Sequence, residues 1–207
     1  MLLRMLRVPV CALCMMCCLI LPAMAAGEYT DVPEGAWYAA AVEEMTAEGI
    51  LTGVTDTLFC PNAAVTRATV VTTLWRLEGS PAPQGSAAFT DVAQEQWYTQ
   101  AVDWAAQEGI AAGDGKGVFR PDALVTREEM AIFFYNYTQY LGEETARGVL
   151  EQFSDAASVH SWAKDAMEHA VGAGLIQGSG SKLDPLGTAS RAQLAVLLQR
   201  LTTPVMG

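Results

Sequence analysis

Disulfide chemistry is missing from this chain where it would matter. Four of its five cysteines (Cys11, Cys14, Cys17, Cys18) crowd the first 25 residues, and only Cys60 follows them. A segment with one thiol closes no internal disulfide, so packing must hold the fold. Positive charge is scarce too: 12 basic residues face 23 acidic ones, for a net charge of -11. Nucleic acid and anionic lipid both demand a basic surface, so neither is expected as a partner. Histidine occurs twice, at His160 and His169, with no further ligand at metal spacing. Asp114-Gly115-Lys116-Gly117 lacks the alternating acids of a calcium loop, so neither metal nor cofactor is expected. Apolar runs are short as well. The one conspicuous run, Val8 to Leu21, has 14 residues, fewer than the roughly 20 that cross a bilayer. Arg4 and Arg7 precede it and Ala23-Met24-Ala25 follows, the order of a secretory signal with a small-residue cleavage site. Residues 1–25 therefore read as a signal peptide and no transmembrane segment is expected. Removing the signal leaves ten basic residues against 23 acidic, a net charge of -13.

What the chain does have is the same passage three times. Tyr29-Thr30-Asp31, Phe89-Thr90-Asp91 and Phe153-Ser154-Asp155 open the copies. Trp37, Trp97 and Trp162 follow, then Gly49-Ile50, Gly109-Ile110 and Gly174-Leu175. Second glycines come next (Gly53, Gly113, Gly178), then Pro61, Pro121 and Pro185, and the pairs Thr66-Arg67, Thr126-Arg127 and Ser190-Arg191. Trp to the first Gly is 12 residues and Pro to Arg is 6 in every copy. A triplicated unit buries its core against its siblings, which favours a binding scaffold over a single catalytic pocket.

Each copy reads as helix, loop, helix. Glu95 to Glu108 places Trp97, Ala101, Val102, Trp104 and Ala105 at a helical period, and the other copies repeat it. Gly49, Gly109 and Gly174 read as left-handed stops, with the next aliphatic folding back. Thr66, Thr126 and Ser190 are N-cap residues, and Glu129 and Gln193 complete capping boxes that Thr69 does not. The second helices carry apolar stripes (Val70, Val71, Leu74; Met130, Phe133, Phe134, Tyr137; Leu194, Leu197, Leu198, Leu201) that are expected to meet one another. Gly79 to Ala88 and Gly142 to Gln152 are linkers, and Val118-Phe119 is the one place for brief strand pairing. The expected architecture is an all-α, pseudo-threefold bundle with repeats at 27–79, 87–142 and 151–203.

Phe-Thr-Asp-Val, Trp-Tyr, Glu-Gly-Ile, Phe-Arg-Pro-Asp and Val-Thr-Arg-Glu-Glu, in that order, resemble a surface-layer homology domain. The resemblance runs from Tyr29 to Leu201. It implies a three-pronged spindle, secreted and anchored non-covalently to a bacterial cell wall. The implied partner is a secondary cell-wall polymer carrying pyruvylated sugar, held between repeats, or modified peptidoglycan. The family's Thr-Arg-Ala-Glu tetrapeptide, whose arginine contacts the ligand, maps to Thr66-Arg67-Ala68-Thr69, Thr126-Arg127-Glu128-Glu129 and Ser190-Arg191-Ala192-Gln193. All three copies keep the arginine and none matches in full.

Arg67, Arg127 and Arg191 are thus the leading ligand candidates. A planar guanidinium grips a carboxylate with two parallel bonds, and a helix start adds unpaired N–H groups. The plain alternative is ion pairing to Asp122, Glu128 or Glu129. Trp37, Trp97 and Trp162 belong in the core or at a groove edge, core being the simpler reading, while an exposed indole would stack on sugar. Asp31, Asp91 and Asp155 are turn or cap residues or secondary contacts, alongside Thr66, Thr126 and Ser190. Glu128 and Glu129 diverge by about 100° on a helix, a poor glycosidase pair. No catalytic residue is expected, and the chain runs only six residues past Leu201. Two other functions stay open: a surface-assembly protein that pairs with envelope proteins, and a wall hydrolase. Cys60 takes the place of Arg120 and Asp184 and is expected to be exposed, a chance thiol or a self-association link.

Overall fold

The structure, a computed structural model, describes residues 29–203, so the signal peptide predicted at 1–25 lies outside the described residues. Six α-helices occupy it: α1 Ala39–Ala47, α2 Arg67–Leu77, α3 Thr99–Gln107, α4 Arg127–Leu141, α5 Lys164–Gly172 and α6 Arg191–Thr202. Short 3-10 turns at Leu150–Gln152, Ala156–Ser158 and Ser161–Ala163 fill the approach to α5. The all-α class holds, and the described residues contain isolated bridges but no strand.

The helix ends follow the local chemistry. The Thr66, Thr126 and Ser190 side chains accept from Thr69, Glu129 and Gln193 N–H, at 3.2, 3.3 and 3.3 Å. Glu129 and Gln193 return bonds to the cap N–H, whereas Thr69 only brings its hydroxyl 3.0 Å from that of Thr66. Gly49, Gly109 and Gly174 sit at φ near +72°, +72° and +71°, and Ile110 N–H folds back to Ala105 O at 2.8 Å. The first helices start later than expected. The turn before α3 puts Glu95 at φ +64°, and the Thr99 hydroxyl ties Gln96 N–H to Ala93 O. A residue in that left-handed region cannot continue a helix.

Packing swaps partners between copies. Helix α1 lies on α6, α3 on α2, and α5 on α4, so each first helix covers the second helix of another copy. The apolar stripes therefore meet mainly first helices; α2 also touches α4, but the expected stripe-to-stripe core is not the main arrangement. Small residues permit the approach: Ala41, Ala101, Ala166 and Ala105, Ala170 are all buried. Burying side chains such as Leu74, Phe134 and Leu198 stabilises by about 1.5–3 kcal/mol each.

Just before the second helices, the chain closes a ring the sequence did not suggest. Val65 N–H donates to Ala189 O at 3.0 Å, Ala189 to Val125 O at 2.8 Å, and Val125 to Val65 O at 3.0 Å. Bridges Ala64–Ser190, Thr66–Leu124 and Thr126–Thr188 flank it, whereas Val118-Phe119 forms none. The ring joins all three copies at the points where α2, α4 and α6 begin. The loops above it are pinned by the opening aspartates. Asp31 accepts from Phe59 and Cys60 N–H, Asp91 from Phe119 and Arg120, and Asp155 from Leu183 and Asp184, at 2.6–2.8 Å. The second glycine of each loop leaves room for the opening aromatic: a Cβ there would lie 2.5 Å from Tyr29, 2.6 Å from Phe89 or 2.9 Å from Phe153. Cys60, at φ +58°, is half-buried rather than exposed, because its N–H is drawn onto Asp31.

Candidate functional site

Each motif arginine is the first residue of a second helix, and each sends its guanidinium into the loop of another copy. Arg67 donates Nε to Phe119 O (2.9 Å) and Nη2 to Ala112 O (2.7 Å). Arg191 does the same to Phe59 O (2.8 Å) and Thr52 O (2.6 Å). Arg127 gives Nε to Leu183 O at 2.7 Å, and no further hydrogen bond of its guanidinium occurs among the described residues. Rings add a second difference. Arg67 lies 4.7 Å from the Phe119 centroid and 5.2 Å from Phe133, and Arg191 lies 4.4 Å from Phe59. Leu183 takes the phenylalanine's place beside Arg127, so no such ring covers it.

None of the three forms an ion pair among the described residues. The suspected partners are engaged elsewhere: Glu129 caps α4, and Glu128, buried at 1% exposure, accepts from the His160 backbone and ring. Burial pulls all three guanidinium pKa values below their ordinary value. Asp184 and Asp155 oppose that at Arg127, and Glu129 and Asp91 oppose it at Arg67. Arginine stays protonated throughout. The result is partly desolvated positive charge, held by carbonyl dipoles.

Arg127 opens into a groove of about 470 Å³ with Trp37, Gln177, Lys182, Asp184 and Arg200. The helix pairing explains this convergence. Trp37 precedes α1, α1 lies on α6, and Arg200 is on α6. Arg200 donates to Leu175 O at 2.9 Å and to Gln177 Oε1 at 3.0 Å. Among the described residues that line it, three cations with Asp184 as the one acid make this an anion-receptive place on an acidic molecule.

The tryptophans are not core. Trp37, Trp97 and Trp162 are 66%, 59% and 56% exposed, since each stands ahead of its helix rather than on it. Trp37 and Trp97 meet Tyr38 and Tyr98 edge-on, whereas Trp162 stacks on His160 with ring planes 13° apart. The Trp37 indole shares the Arg127 groove, and Trp97 lines a separate cleft. The carboxylates of Asp31, Asp91 and Asp155 and the hydroxyls of Thr66, Thr126 and Ser190 are engaged in loop pinning and capping. Burial raises the pKa of Asp91, but the Phe119 and Arg120 N–H bonds outweigh it and hold the carboxyl below its ordinary value. The Leu183 N–H, with that of Asp184, does the same for Asp155.

Arg200, Gln177 and Lys182 escaped the sequence reading. A signal existed for the first: nine residues after each motif arginine stand Arg76, Asn136 and Arg200. All three donate to the carbonyl after the stop glycine, on Ile50, Ile110 and Leu175.

Comparison with known proteins fits this arrangement. Residues 28–71, 88–131 and 152–195 each match the S-layer homology domain. The chain is 34% identical over 178 residues to an amylopullulanase of Thermoanaerobacterium thermosulfurigenes, covering 84% of this chain and 9% of that protein. It is 31% identical over 189 residues to a surface-layer 125 kDa protein of Lysinibacillus sphaericus, 87% of this chain and 15% of that one. S-layer protein EA1 of Bacillus anthracis is 24% identical over 181 residues, 86% and 20%. The chain thus spans a fifth or less of the length of these relatives. No helix of the described residues is long and apolar enough to cross a membrane. With three matches in tandem and an all-α repeat behind each, the chain belongs to the S-layer homology domain family of cell-surface proteins.

Proposed function

We propose that the chain holds to the bacterial cell wall by gripping an anionic wall glycan, and that it performs no chemistry on it. The ligand class that suits the groove is a sugar bearing a ketal-linked pyruvate, whose carboxylate is fixed relative to the ring. The observation that carries the reading is the Arg127 guanidinium, whose Nη groups make no hydrogen bond among the described residues and lie beside Arg200 and Lys182. Arginine's fork matches a carboxylate as lysine's point charge does not, and a desolvated, charge-assisted pair is worth about 1.5–3 kcal/mol. The exposed Trp37 indole supplies a flat apolar face for the sugar ring next to that carboxylate. Arg67 and Arg191 contribute at their own junctions only through the fork positions that the carbonyls leave free. Trp162, 56% exposed and stacked on His160, is available for the same purpose.

The test is co-sedimentation with purified wall before and after chemical removal of pyruvate. Binding that disappears on depyruvylation supports the reading. Binding that persists points to peptidoglycan or a protein partner, and release of reducing sugar would make the chain a hydrolase.

A further inference from the structure

Between the second helix of the first repeat and the start of the second repeat lies a cleft that the arginine grooves do not account for. It has a volume of about 360 Å³ and is lined by Trp75, Trp97, Gln94, Gln96, Gln100, Glu95 and Asp103. That size lies in the lower part of the roughly 300–1,000 Å³ range of small-molecule sites. Among the described residues, no lysine or arginine lines it. A carboxylated ligand would meet two acids and no cation there, so the anionic sugar of the Arg127 groove is a poor fit. An uncharged ring with hydroxyl groups is a good one. An indole face covers its C–H side, carboxamides both donate and accept, and carboxylates accept from hydroxyls.

The cleft is held in shape before any ligand arrives. Trp75 donates Nε1–H to Pro81 O at 2.8 Å, which fixes its ring, and Trp97 rests edge-on against Tyr98 at 5.1 Å. Asp103 is anchored by the Ala87 N–H at 2.7 Å. Glu95 occupies φ +64° at a place where the first repeat has Gly35 at φ +78°. A residue with a Cβ there costs on the order of 1 kcal/mol that glycine avoids. The repeat architecture does not require this set. Where the second repeat has Gln94, Gln96 and Gln100, the first has Glu34, Ala36 and Ala40, and Tyr135 and Gln199 stand in for Trp75. Two indoles and three glutamines converge at this one junction between repeats.

We propose that this cleft is a second carbohydrate site, taking an uncharged pyranose ring, independent in chemistry and position from the anion groove at Arg127. The test follows the indole Nε1–H resonances of the full chain during titration with cellotetraose, with the tetramer of N-acetylglucosamine, and with a pyruvate-ketal methyl glucoside. One of the two uncharged tetramers should move the Trp75 and Trp97 signals with millimolar affinity, and which one does so separates a glucan from an amino-sugar polymer. Arg127→Ala should leave that response intact, so its failure and that of the anion reading are told apart. Gln96→Ala with Gln100→Ala should weaken it about fivefold, the worth of roughly one hydrogen bond, with no change in melting temperature. The proposal is overturned if neither tetramer moves the Trp75 signal up to about 10 mM, well past the millimolar range of weak sites. It is equally overturned if the double variant responds unchanged, or if the anionic glucoside moves Trp75 as strongly as the tetramers do.

Discussion

Arg191 and Arg127 hold the same place in their repeats, begin the same kind of helix, and reach across the same kind of junction. Yet Arg191 is doubly engaged, whereas Arg127, although the more buried at 9% exposure, keeps its Nη groups free of hydrogen bonds among the described residues. Arg191 gives two N–H groups to Phe59 O and Thr52 O and lies on the Phe59 ring. Arg127 gives one, to Leu183 O, and faces a groove with two more cations. The facing loops differ at several positions, and leucine for phenylalanine is the replacement that removes the ring. A motif residue repeated three times therefore need not do one job three times. The guanidinium is shared between holding the copies together and meeting a ligand, and the facing loop sets the division.

The largest effect expected from this contrast is on stability. Arg191→Ala removes two charge-assisted bonds to carbonyls and the ring contact, and should cost about 3 kcal/mol. Arg127→Ala removes one such bond and should cost about half as much. Urea unfolding of both variants measures the difference. Equal losses would mean that the two junctions are mechanically alike and the distinction drawn here is empty.

Next in size is binding. Arg127→Ala should lower affinity for pyruvylated wall glycan about 30-fold, near 2 kcal/mol, whereas Arg127→Lys should recover only part of that. A destabilised but folded Arg191→Ala variant should bind within a few-fold of the parent. Isothermal titration below the unfolding temperature checks both, and an Arg191→Ala loss as deep as that of Arg127→Ala would merge the two roles.

Acid sensitivity should divide the molecule less sharply. The Asp91 and Asp155 carboxyls titrate below their ordinary value of 3.8 in the folded chain. Their contribution is therefore fully present above about pH 4 and fades as pH falls through the lower folded values. Melting temperature measured from pH 5 to pH 2 should drop along an acid limb that Asp91→Asn and Asp155→Asn each flatten. Asp155 pins the loop that carries Lys182 and Asp184, so its substitution should also weaken glycan binding, while Asp91→Asn should not. Unchanged acid limbs in both variants would remove these carboxylates from the account.

Much of the fold could be read from the chain, because its signals are local. Caps at Thr66, Thr126 and Ser190 and stops at Gly49, Gly109 and Gly174 depend on residues within one turn. The tryptophans misled because Trp97, Ala101 and Ala105 obey a helical period although the helix begins only at Thr99. The left-handed Glu95 sets that start, and nothing in its identity announces it. The swap of helix partners was hidden for another reason: similar stripes in three copies give no sign of which copy covers which. The site was legible as three arginines. Their unequal engagement was not, since it depends on a leucine 56 residues from Arg127 in the chain and next to it in space.

The smallest expected effect isolates surface charge from the arginine fork. Lys182 lines the Arg127 groove, and the same position in the first repeat is Leu58, 38% exposed. An exposed ammonium near a bound carboxylate is worth about 0.5 kcal/mol, or two- to threefold in affinity. Lys182→Leu should therefore weaken anionic glycan binding by that factor, and the loss should shrink as salt rises to about 0.5 M, where the Debye length is only a few ångströms. The reciprocal change, Leu58→Lys, adds the charge at a junction whose arginine is already engaged with carbonyls and a ring. It should raise affinity little or not at all. If Leu58→Lys strengthened binding as much as Lys182→Leu weakened it, free charge rather than a free fork would govern recognition, and Arg191 would rank with Arg127 as a ligand contact.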